Sequence, residues 1–247
     1  MNLNVENFKD ILRKATVNYL IESVQLKVTE DTVKSKMISQ SNDCISILDI
    51  ENEFITNMNK INEYEFNFLE PAQTIIPYLN LIDTERETTI KIMDEKITLI
   101  TGNQKSNIFF CSPRVVNVFT ADSLRDDIEY FTNILIDDNF IGIFNKIKKI
   151  APRFGKIYFD VTDKIFSIET TDKQNSFSNG VKFDLGSVDN DNISLCFNYK
   201  NIAGIMSIID NTFSAGFAYS VEQEMGMIYF TKEENTEKYY LMSNIDR

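Results

Sequence analysis

The sequence predicts an α+β protein in which one arrangement of helices and strands occurs twice. Two helical stripes, at residues 7–14 and 139–146, match each other at Asn, Phe, Ile and Lys. Alternating strands follow each stripe, and three strands close each half of the chain. Self-similarity of this kind indicates two related domains, and 247 residues are enough for two domains of ordinary size.

The opening helix of each half is predicted from the spacing of its apolar side chains. In both stripes these recur at i, i+3, i+4 and i+7, beginning at the shared Phe, which is the pattern of one buried helix face. We predict helices over 5–17 and 138–151. An Asp at 137 or 138 can cap the second of them.

The segments after each opening helix alternate polar and apolar residues, as do strands with one buried face. In each half they predict a hairpin, one further strand and, after a second helix, three closing strands. A short strand is also expected before each opening helix. The predicted strands are 2–5, 24–28, 33–38, 44–50, 89–93, 96–101 and 107–111 in the first half, and 129–135, 157–161, 165–168, 180–185, 216–221, 225–230 and 238–242 in the second.

A second apolar helix is predicted in each half, at 71–82 and 199–209, and both segments end in Ile-Asp. Pro77 stands inside the first of these helices, where its missing N–H should kink or split it. The predicted organisation is therefore a first domain at 1–112, a connector at 113–127 and a second domain at 128–247.

Composition excludes several classes of protein. Histidine is absent, which removes Ser-His-Asp and Cys-His catalysis and His-liganded zinc. No calcium loop, phosphate loop or paired-cysteine motif is complete, so we expect no cofactor, no metal site and no enzyme activity. Cys44, Cys111 and Cys196 stand far apart in apolar runs and are predicted to be buried free thiols.

The chain also lacks the marks of membrane insertion and secretion. No apolar run approaches the roughly 20 residues that span a bilayer, so no membrane partner is expected. The N-terminal segment has neither the basic nor the apolar region of a signal peptide. A cytoplasmic location is expected, in the host cytoplasm if the protein is viral.

The net charge of −12 is unevenly distributed along the chain. Residues 5–17 and 138–153 hold seven basic residues and three acids, a sum of +4, so the rest of the chain carries −16. A negative body with positive helix faces should accept DNA only along those faces. The candidate DNA-binding residues are Lys9, Arg13, Lys14, Lys146, Lys148, Lys149 and Arg153, together with Lys200 on the predicted fourth helix.

These cations have two interpretations. Lys and Arg side chains that meet phosphates attract DNA without reading its sequence. Lys9 and Arg13 are four residues apart and share a helix face, and Lys146 and Lys149, three apart, share another. The alternative is that they form only the solvated face of two amphipathic helices.

In the duplicated order of its elements, its length and its charge layout, the whole chain resembles the two-domain sliding clamps of tailed phages and of the proliferating-cell-nuclear-antigen type. The resemblance extends from the Asn7-Phe8 helix to the closing strand at 239–242. It implies a duplicated DNA-clamp domain of the α+β class, with helices lining the ring interior and antiparallel sheets outside. Three subunits would form the ring as a homotrimer. The abundance of Asn, Ile and Lys suits an AT-rich viral genome.

The same resemblance implies a function and a set of partners. A sliding clamp encircles double-stranded DNA, tethers the replicative DNA polymerase for processive synthesis and depends on a clamp loader. In the ring, the strand at 107–111 of one subunit would pair with the strand at 180–185 of the next. Client proteins of such clamps dock a short hydrophobic peptide beside the interdomain connector. Val116, Val118 and Phe119 are therefore candidate partner-binding residues, unless the connector packs these side chains inward.

Two other functions are weighed against a clamp. Another viral DNA-binding accessory protein, for single-stranded DNA or late transcription, would need exposed aromatic residues interleaved with basic ones on a sheet. The aromatic residues of this chain stand mostly at alternating core positions, such as Tyr158 and Phe166. A metal-dependent nuclease would need a convergent cluster of carboxylates, which the sequence does not indicate.

Overall fold

Two units with a similar order of elements make up the chain, Met1–Thr120 and Ala121–Arg247. The structure, a computed structural model, describes residues 1–58, 63–120, 129–175, 178–189, 193–220, 225–232, 234 and 236–243, with the backbone alone at 129–135, 219 and 220. The predicted connector lies outside the described residues from 121 onward. None of the helices in the described ranges has the length and apolar character needed to cross a membrane.

Unit 1 contains a counterpart for every element predicted in the first half of the chain. Its described elements are β1 (Asn2–Leu3), α1 (Val5–Ala15), β2 (Ser23–Val28), β3 (Thr32–Ile38), β4 (Cys44–Glu51), β5 (Ile55–Thr56), β6 (Tyr64–Leu69), α2 (Pro71–Thr74), α3 (Ile76–Leu79), β7 (Thr88–Ile92), β8 (Lys96–Thr101) and β9 (Gln104–Phe109).

Helix α1 buries one face and ends in a left-handed turn. Its Asn4 cap accepts a hydrogen bond from the backbone N–H of Asn7 at 3.1 Å. The buried face consists of Val5, Phe8, Ile11, Leu12 and Ala15. The helix ends two residues before the predicted position because residues 17–19 all have positive φ angles, between 50° and 67°. That conformation is unfavourable for the β-branched Val17.

The predicted helix at 71–82 is split in two, as Pro77 led us to expect. Helix α2 ends at Thr74 and α3 begins at Ile76, with Ile75 between them. Pro77 lies in the first turn of α3, where a missing backbone N–H leaves no helical hydrogen bond unmade.

The strands of unit 1 form antiparallel sheets in which neighbours follow the order β5-β1-β7-β8-β9 and the order β4-β3-β2-β6. Helix α1 packs against β3 and β4. Phe8 of α1 stacks on Phe54 with ring centroids 5.0 Å apart and meets the edge of Phe68 at 6.4 Å. Full burial of each such ring contributes on the order of 2–3 kcal/mol, so this aromatic cluster fixes α1 on the sheet.

Unit 2 repeats this order with its own elements. They are β10 (Glu129–Leu135), α4 (Asp138–Ile147), β11 (Lys156–Thr162), β12 (Ile165–Thr170), β13 (Val181–Ser187), β14 (Ile193–Asn198), α5 (Tyr199–Met206), β15 (Phe213–Ser220), β16 (Met225–Lys232) and β17 (Glu237–Met242). Its strands follow the orders β13-β12-β11-β14 and β10-β15-β16-β17. Phe159, Phe166 and Phe217 form its aromatic core, with centroid distances of 5.3–6.1 Å.

Helix α4 is shorter than predicted. It is capped by Asp137, which accepts from the N–H of Phe140 at 2.7 Å, and it ends at Ile147 instead of continuing to residue 151. The reason is Pro152, whose ring would clash with the carbonyl of Lys148 in a continuous helix. A short 3-10 turn at Ala151–Arg153 replaces the last helical turn. Helix α5 likewise ends at Met206, three residues before the predicted end.

The repeat is more complete than the sequence analysis predicts. Strand β6 stands before α2 as β14 stands before α5, and neither strand is among the predicted elements. The signal was present in the alternation of Tyr64, Phe66 and Phe68, since aromatic residues two apart favour a half-buried strand.

Candidate nucleic-acid interface

The three cations of α1 are paired with acids of the same helix. Lys9 Nζ lies 2.9 Å from Glu6 Oε1. The carboxylate of Asp10 lies 3.2 Å from Arg13 Nη2 and 3.2 Å from Lys14 Nζ, through different oxygens. The spacings are i,i+3 and i,i+4, which place side chains next to one another on a helix surface. These five groups leave a net charge of only +1 on α1.

Asp10 and Arg13 also affect the pKa of Tyr19, which lies in the turn after α1. Burial raises the pKa of the Tyr19 hydroxyl, while the Arg13 guanidinium opposes that shift and Asp10 adds to it. Arg13 and Asp10 thus shift the pKa of Tyr19 in opposite directions, because the negative charge of Asp10 offsets part of the positive charge of Arg13 at this end of the helix.

The cations that follow α4 are in a different situation. Lys146 lies in the last turn of the helix, and Lys148, Lys149 and Arg153 follow in the segment that leads through the 3-10 turn. All four are exposed. Within the described ranges, no carboxylate comes within 4.0 Å of their charged nitrogens. We call this group of four cations, which is uncompensated among the described residues, the α4 cluster.

A contact of Lys146 with an aromatic ring and the dipole of α4 both favour the α4 cluster. Lys146 Nζ lies 5.7 Å from the centroid of the Phe183 ring on β13, a cation–π contact that orients the side chain without neutralising it. Positive charge at a helix C-terminus is stabilised by the helix dipole, so the cluster is favourable where it stands.

Lys200 is the other exposed cation among the predicted residues of unit 2. It lies in the first turn of α5, and its backbone N–H donates to the Oδ1 of the capping Asn198 at 2.9 Å. The helix dipole disfavours a cation at this end.

Helices α2 and α3 carry no cation, as the sequence indicates. Their surface instead exposes large apolar side chains, Tyr78 on α3 and Leu81 just beyond it. Apolar surface of this kind is typical of contact with protein and not with phosphate.

The described part of the connector lies along strand β3. Val118 forms a bridge with Met37, and the N–H of Phe119 donates to the carbonyl of Lys36 at 2.9 Å. Val116 is buried, whereas Val118 and Phe119 are half-buried. The connector thus packs one of the three predicted side chains inward and leaves part of the other two exposed.

The cysteines differ from one another in burial. Cys44 and Cys196 are buried, but Cys111 is half-buried, which corrects the prediction that all three are covered. Cys111 lies two residues beyond the end of β9, at the end of its sheet. Burial raises the pKa of the Cys44 and Cys111 thiols, so both favour the protonated form. No group of three or more Cys, Asp or Glu side chains in the described part of the chain could hold a metal ion.

Several solved structures share the arrangement of both units. The proliferating cell nuclear antigen (PCNA) of A. fulgidus, in a structure with the C-terminal region of FEN-1 bound, matches with a TM-score of 0.67 over 100% of this chain and 98% of that one, at 14% identity. The PCNA2-PCNA3 complex of Sulfolobus tokodaii matches with a TM-score of 0.64 over 99% of both chains, at 14% identity. The chain has the fold of a sliding clamp. PCNA of Entamoeba histolytica agrees, with a TM-score of 0.64 at 12% identity over 99% of this chain and 98% of that one.

The likeness to sliding clamps is one of fold and extends over the full length of the chain. No family model and no curated protein matches the sequence. The predicted fold class, a duplicated α+β clamp domain with antiparallel sheets, is confirmed.

This sliding-clamp fold has an edge strand with open main-chain groups in each unit. Among the described strands, β9 pairs with β8 alone and β13 pairs with β12 alone. The unpaired N–H and C=O groups of an edge strand form a template for a strand of another chain.

Proposed function

We propose that this chain is a subunit of a DNA sliding clamp, a ring that encircles duplex DNA, tethers the replicative DNA polymerase for processive synthesis and has no catalytic activity of its own. The observation that carries the proposal is the match of both units, over the whole chain, to the fold of PCNA. A second support is the α4 cluster, which has no ionic partner in the part of the chain that the structure describes, in a protein whose net charge is −12.

Duplex DNA is held by phosphate contacts along the helices. The α4 cluster and Lys200 offer exposed ammonium and guanidinium groups, which attract phosphates without reading bases. A contact of this type lets the ring move along DNA, because every position on the backbone is equivalent. Lys9, Arg13 and Lys14 take a smaller part, since each must first leave a carboxylate of its own helix.

The ring is a homotrimer with head-to-tail contacts, in which β9 of one subunit pairs with β13 of the next. Contacts between unlike surfaces close into a ring when the rotation allows. The open edges of β9 and β13 supply the main-chain donors and acceptors. Light scattering should give about three times the chain mass of 28.6 kDa, at concentrations above the dissociation of the ring.

Partners dock beside the connector. Val118 and Phe119 keep part of their apolar surface exposed, which suits a short hydrophobic peptide of the polymerase or of a clamp loader, whereas Val116 is buried. The PCNA of A. fulgidus was solved with the C-terminal region of FEN-1 bound, which supports the docking of a protein segment on a chain of this fold.

A topology experiment tests the function. The protein is loaded on nicked circular duplex DNA, with its loader or at high protein concentration, and the complex is isolated by gel filtration. A clamp stays on the circle and is lost when a single restriction cut makes the circle linear. Equal retention on circular and linear DNA would contradict the proposal, because a protein that binds the side of the duplex does not distinguish them.

A further inference from the structure

One face of the sheet formed by β7, β8 and β9 carries three lysines that have no ionic partner in the described ranges of the chain. The register pairs Lys96 with Phe109, Lys91 with Thr98, and Ile100 with Lys105. Directly opposed residues of an antiparallel sheet point to the same side, and so do residues two apart on one strand. Lys91, Lys96 and Lys105 therefore share one face, which we call the lysine face.

The lysine face has no acid among the residues of these three strands. Within the described part of the chain, no carboxylate lies within 4.0 Å of the three ammonium groups. Three acids stand near the ends of these strands: Asp94 and Glu95 lie in the turn between β7 and β8, and Glu87, one residue before β7 on the side of Lys91, accepts a hydrogen bond from Asn2. The opposite face of the same strands is the buried one, with Ile90, Ile97, Leu99 and Ile108 in the core.

An exposed aromatic ring stands among these lysines. Phe109 on β9 is 65% exposed, and the Nζ of Lys96 lies 5.3 Å from the centroid of its ring. Met93, which follows β7, is 54% exposed. Thr98 donates a hydrogen bond to the Oδ1 of the exposed Asn107, whose side-chain amide also carries N–H donors. The face thus combines unpaired cations, an aromatic ring and polar donors.

We infer that the lysine face binds single-stranded nucleic acid, with the three lysines on phosphates and Phe109 stacked on a base. Adjacent strands are about 4.8 Å apart and alternate residues about 7 Å apart, so the lysines cover a stretch of several nucleotides. Cations that follow the backbone and an aromatic ring that accepts any base are the elements of sequence-tolerant single-strand binding. In the proposed ring, β9 would pair through its edge in the plane of the sheet, and that contact would leave this face open.

The geometry favours a nucleic acid over an acidic peptide. The main-chain groups of β8 are used on both sides by β7 and β9, so the face offers a peptide only side-chain contacts. Apolar side chains of a peptide need a groove, whereas a base lies flat on an exposed ring. The inference goes beyond the proposed function, since it concerns another surface and another form of nucleic acid.

The test is a titration of the full chain into a labelled 12-nucleotide oligo-dT, followed by fluorescence anisotropy at several salt concentrations. The triple variant K91A/K96A/K105A should raise Kd at least about tenfold at low salt. It should also lower the slope of log Kd against log salt by about 2, since each single-strand phosphate contact contributes roughly 0.7. Phe109→Ser should raise Kd at least about fivefold, and Phe109→Tyr should retain binding, because stacking needs only a ring.

Matched controls make each outcome decisive. The triple variant K27A/K34A/K36A removes the same charge from a sheet face of unit 1 on which Asp49 and Glu65 stand among the lysines, and it should leave Kd nearly unchanged. An abasic 12-mer should be insensitive to Phe109→Ser. Equal losses for both triple variants would overturn the inference, as would tighter binding of a labelled Glu-rich peptide carrying one Phe.

The same variants separate this inference from the clamp proposal. K91A/K96A/K105A should remain on circular duplex DNA as well as the parent, and K146A/K149A should bind oligo-dT as well as the parent. If K146A/K149A abolished binding of oligo-dT and the lysine-face variant did not, single strands would bind elsewhere and the inference would be wrong, whatever the result on circular DNA.

Discussion

In unit 1 each cation of α1 has a carboxylate in its own helix, whereas in unit 2 the cations of the α4 cluster have none among the described residues. The two helices open the two units and share the same spacing of buried side chains. Asp10 alone accounts for much of the difference, since it pairs with both Arg13 and Lys14. At the positions equivalent to Glu6 and Asp10, α4 has Asp138 and Gly142.

Two lysine sites beside the sheets show the reverse. The lysine face of unit 1 is unpaired among the described residues, but in unit 2 Lys173 lies 3.0 Å from both carboxylate oxygens of Asp160, over the ring of Tyr158. The side chain of Asp160 is only 8% exposed, and Ser194 also donates to it. Among the described residues, unit 1 thus has unpaired cations on the lysine face, and unit 2 has them at the end of α4 and in the segment that follows it.

The comparison shows that two units with the same fold can carry different patterns of surface charge. Burial holds the apolar stripe in place in both units, because loss of a buried ring costs about 3–5 kcal/mol. Exposed charges are far less constrained, since most surface changes alter stability by within about 0.5 kcal/mol. The charge pattern of each unit is therefore free to serve a separate role.

The largest expected effect concerns the paired lysine of unit 2. Lys173→Ala leaves the buried Asp160 with Ser194 as a remaining partner, and it should lower the free energy of unfolding by about 2 kcal/mol. Removing one partner of a fully buried ion pair costs more than about 2 kcal/mol, on the order of 3–5 kcal/mol. We expect a smaller loss here because the side chain of Lys173 is 36% exposed, so solvent screens the pair. Urea unfolding measures it. Lys91→Ala on the lysine face is the control and should stay within about 0.5 kcal/mol. Similar losses for both variants would remove the distinction between paired and free lysines.

A smaller effect is expected when the acids of α1 are neutralised. Glu6→Gln with Asp10→Asn releases Lys9, Arg13 and Lys14, so affinity for duplex DNA at low salt should rise severalfold. The salt slope should steepen by up to about 2.7, at roughly 0.9 for each of three additional phosphates neutralised. Stability should fall by less than about 1 kcal/mol, because exposed helix pairs are weak. Asp83→Asn, which frees Arg86 elsewhere in unit 1, is the control. Unchanged duplex binding would show that α1 does not face DNA.

Much of the fold was predictable because it depends on local patterns. The shared stripes at 7–14 and 139–146 predict α1 and α4, and alternation predicts the hairpins. The predictions were wrong at the C-terminal ends of α1 and α4, because local backbone conformation and proline end these helices earlier than the apolar pattern indicates. The left-handed turn at 17–19 stops α1, and Pro152 stops α4.

The candidate site was less predictable, for two reasons. The sequence places Glu6 and Asp10 three or four residues from the cations of α1, which predicts ion pairs on the helix surface. The prediction used only the summed charge of the segment, and a sum does not show which charges are paired. The lysine face depends on the register of three strands, and a shift of one residue would send Lys105 to the core. That register is set by turns whose geometry alternation does not reveal.

The most direct test of this account is the salt dependence of retention on circular duplex DNA for two matched double variants. K146A/K149A removes two uncompensated cations of the α4 cluster, and the slope of log retention constant against log salt should fall by about 2. K9A/R13A removes two cations already paired with Glu6 and Asp10, and the slope should change by less than about 1. Both variants should fold and assemble as the parent does. Equal changes, or a larger change for K9A/R13A, would contradict the assignment of the main duplex contact to unit 2.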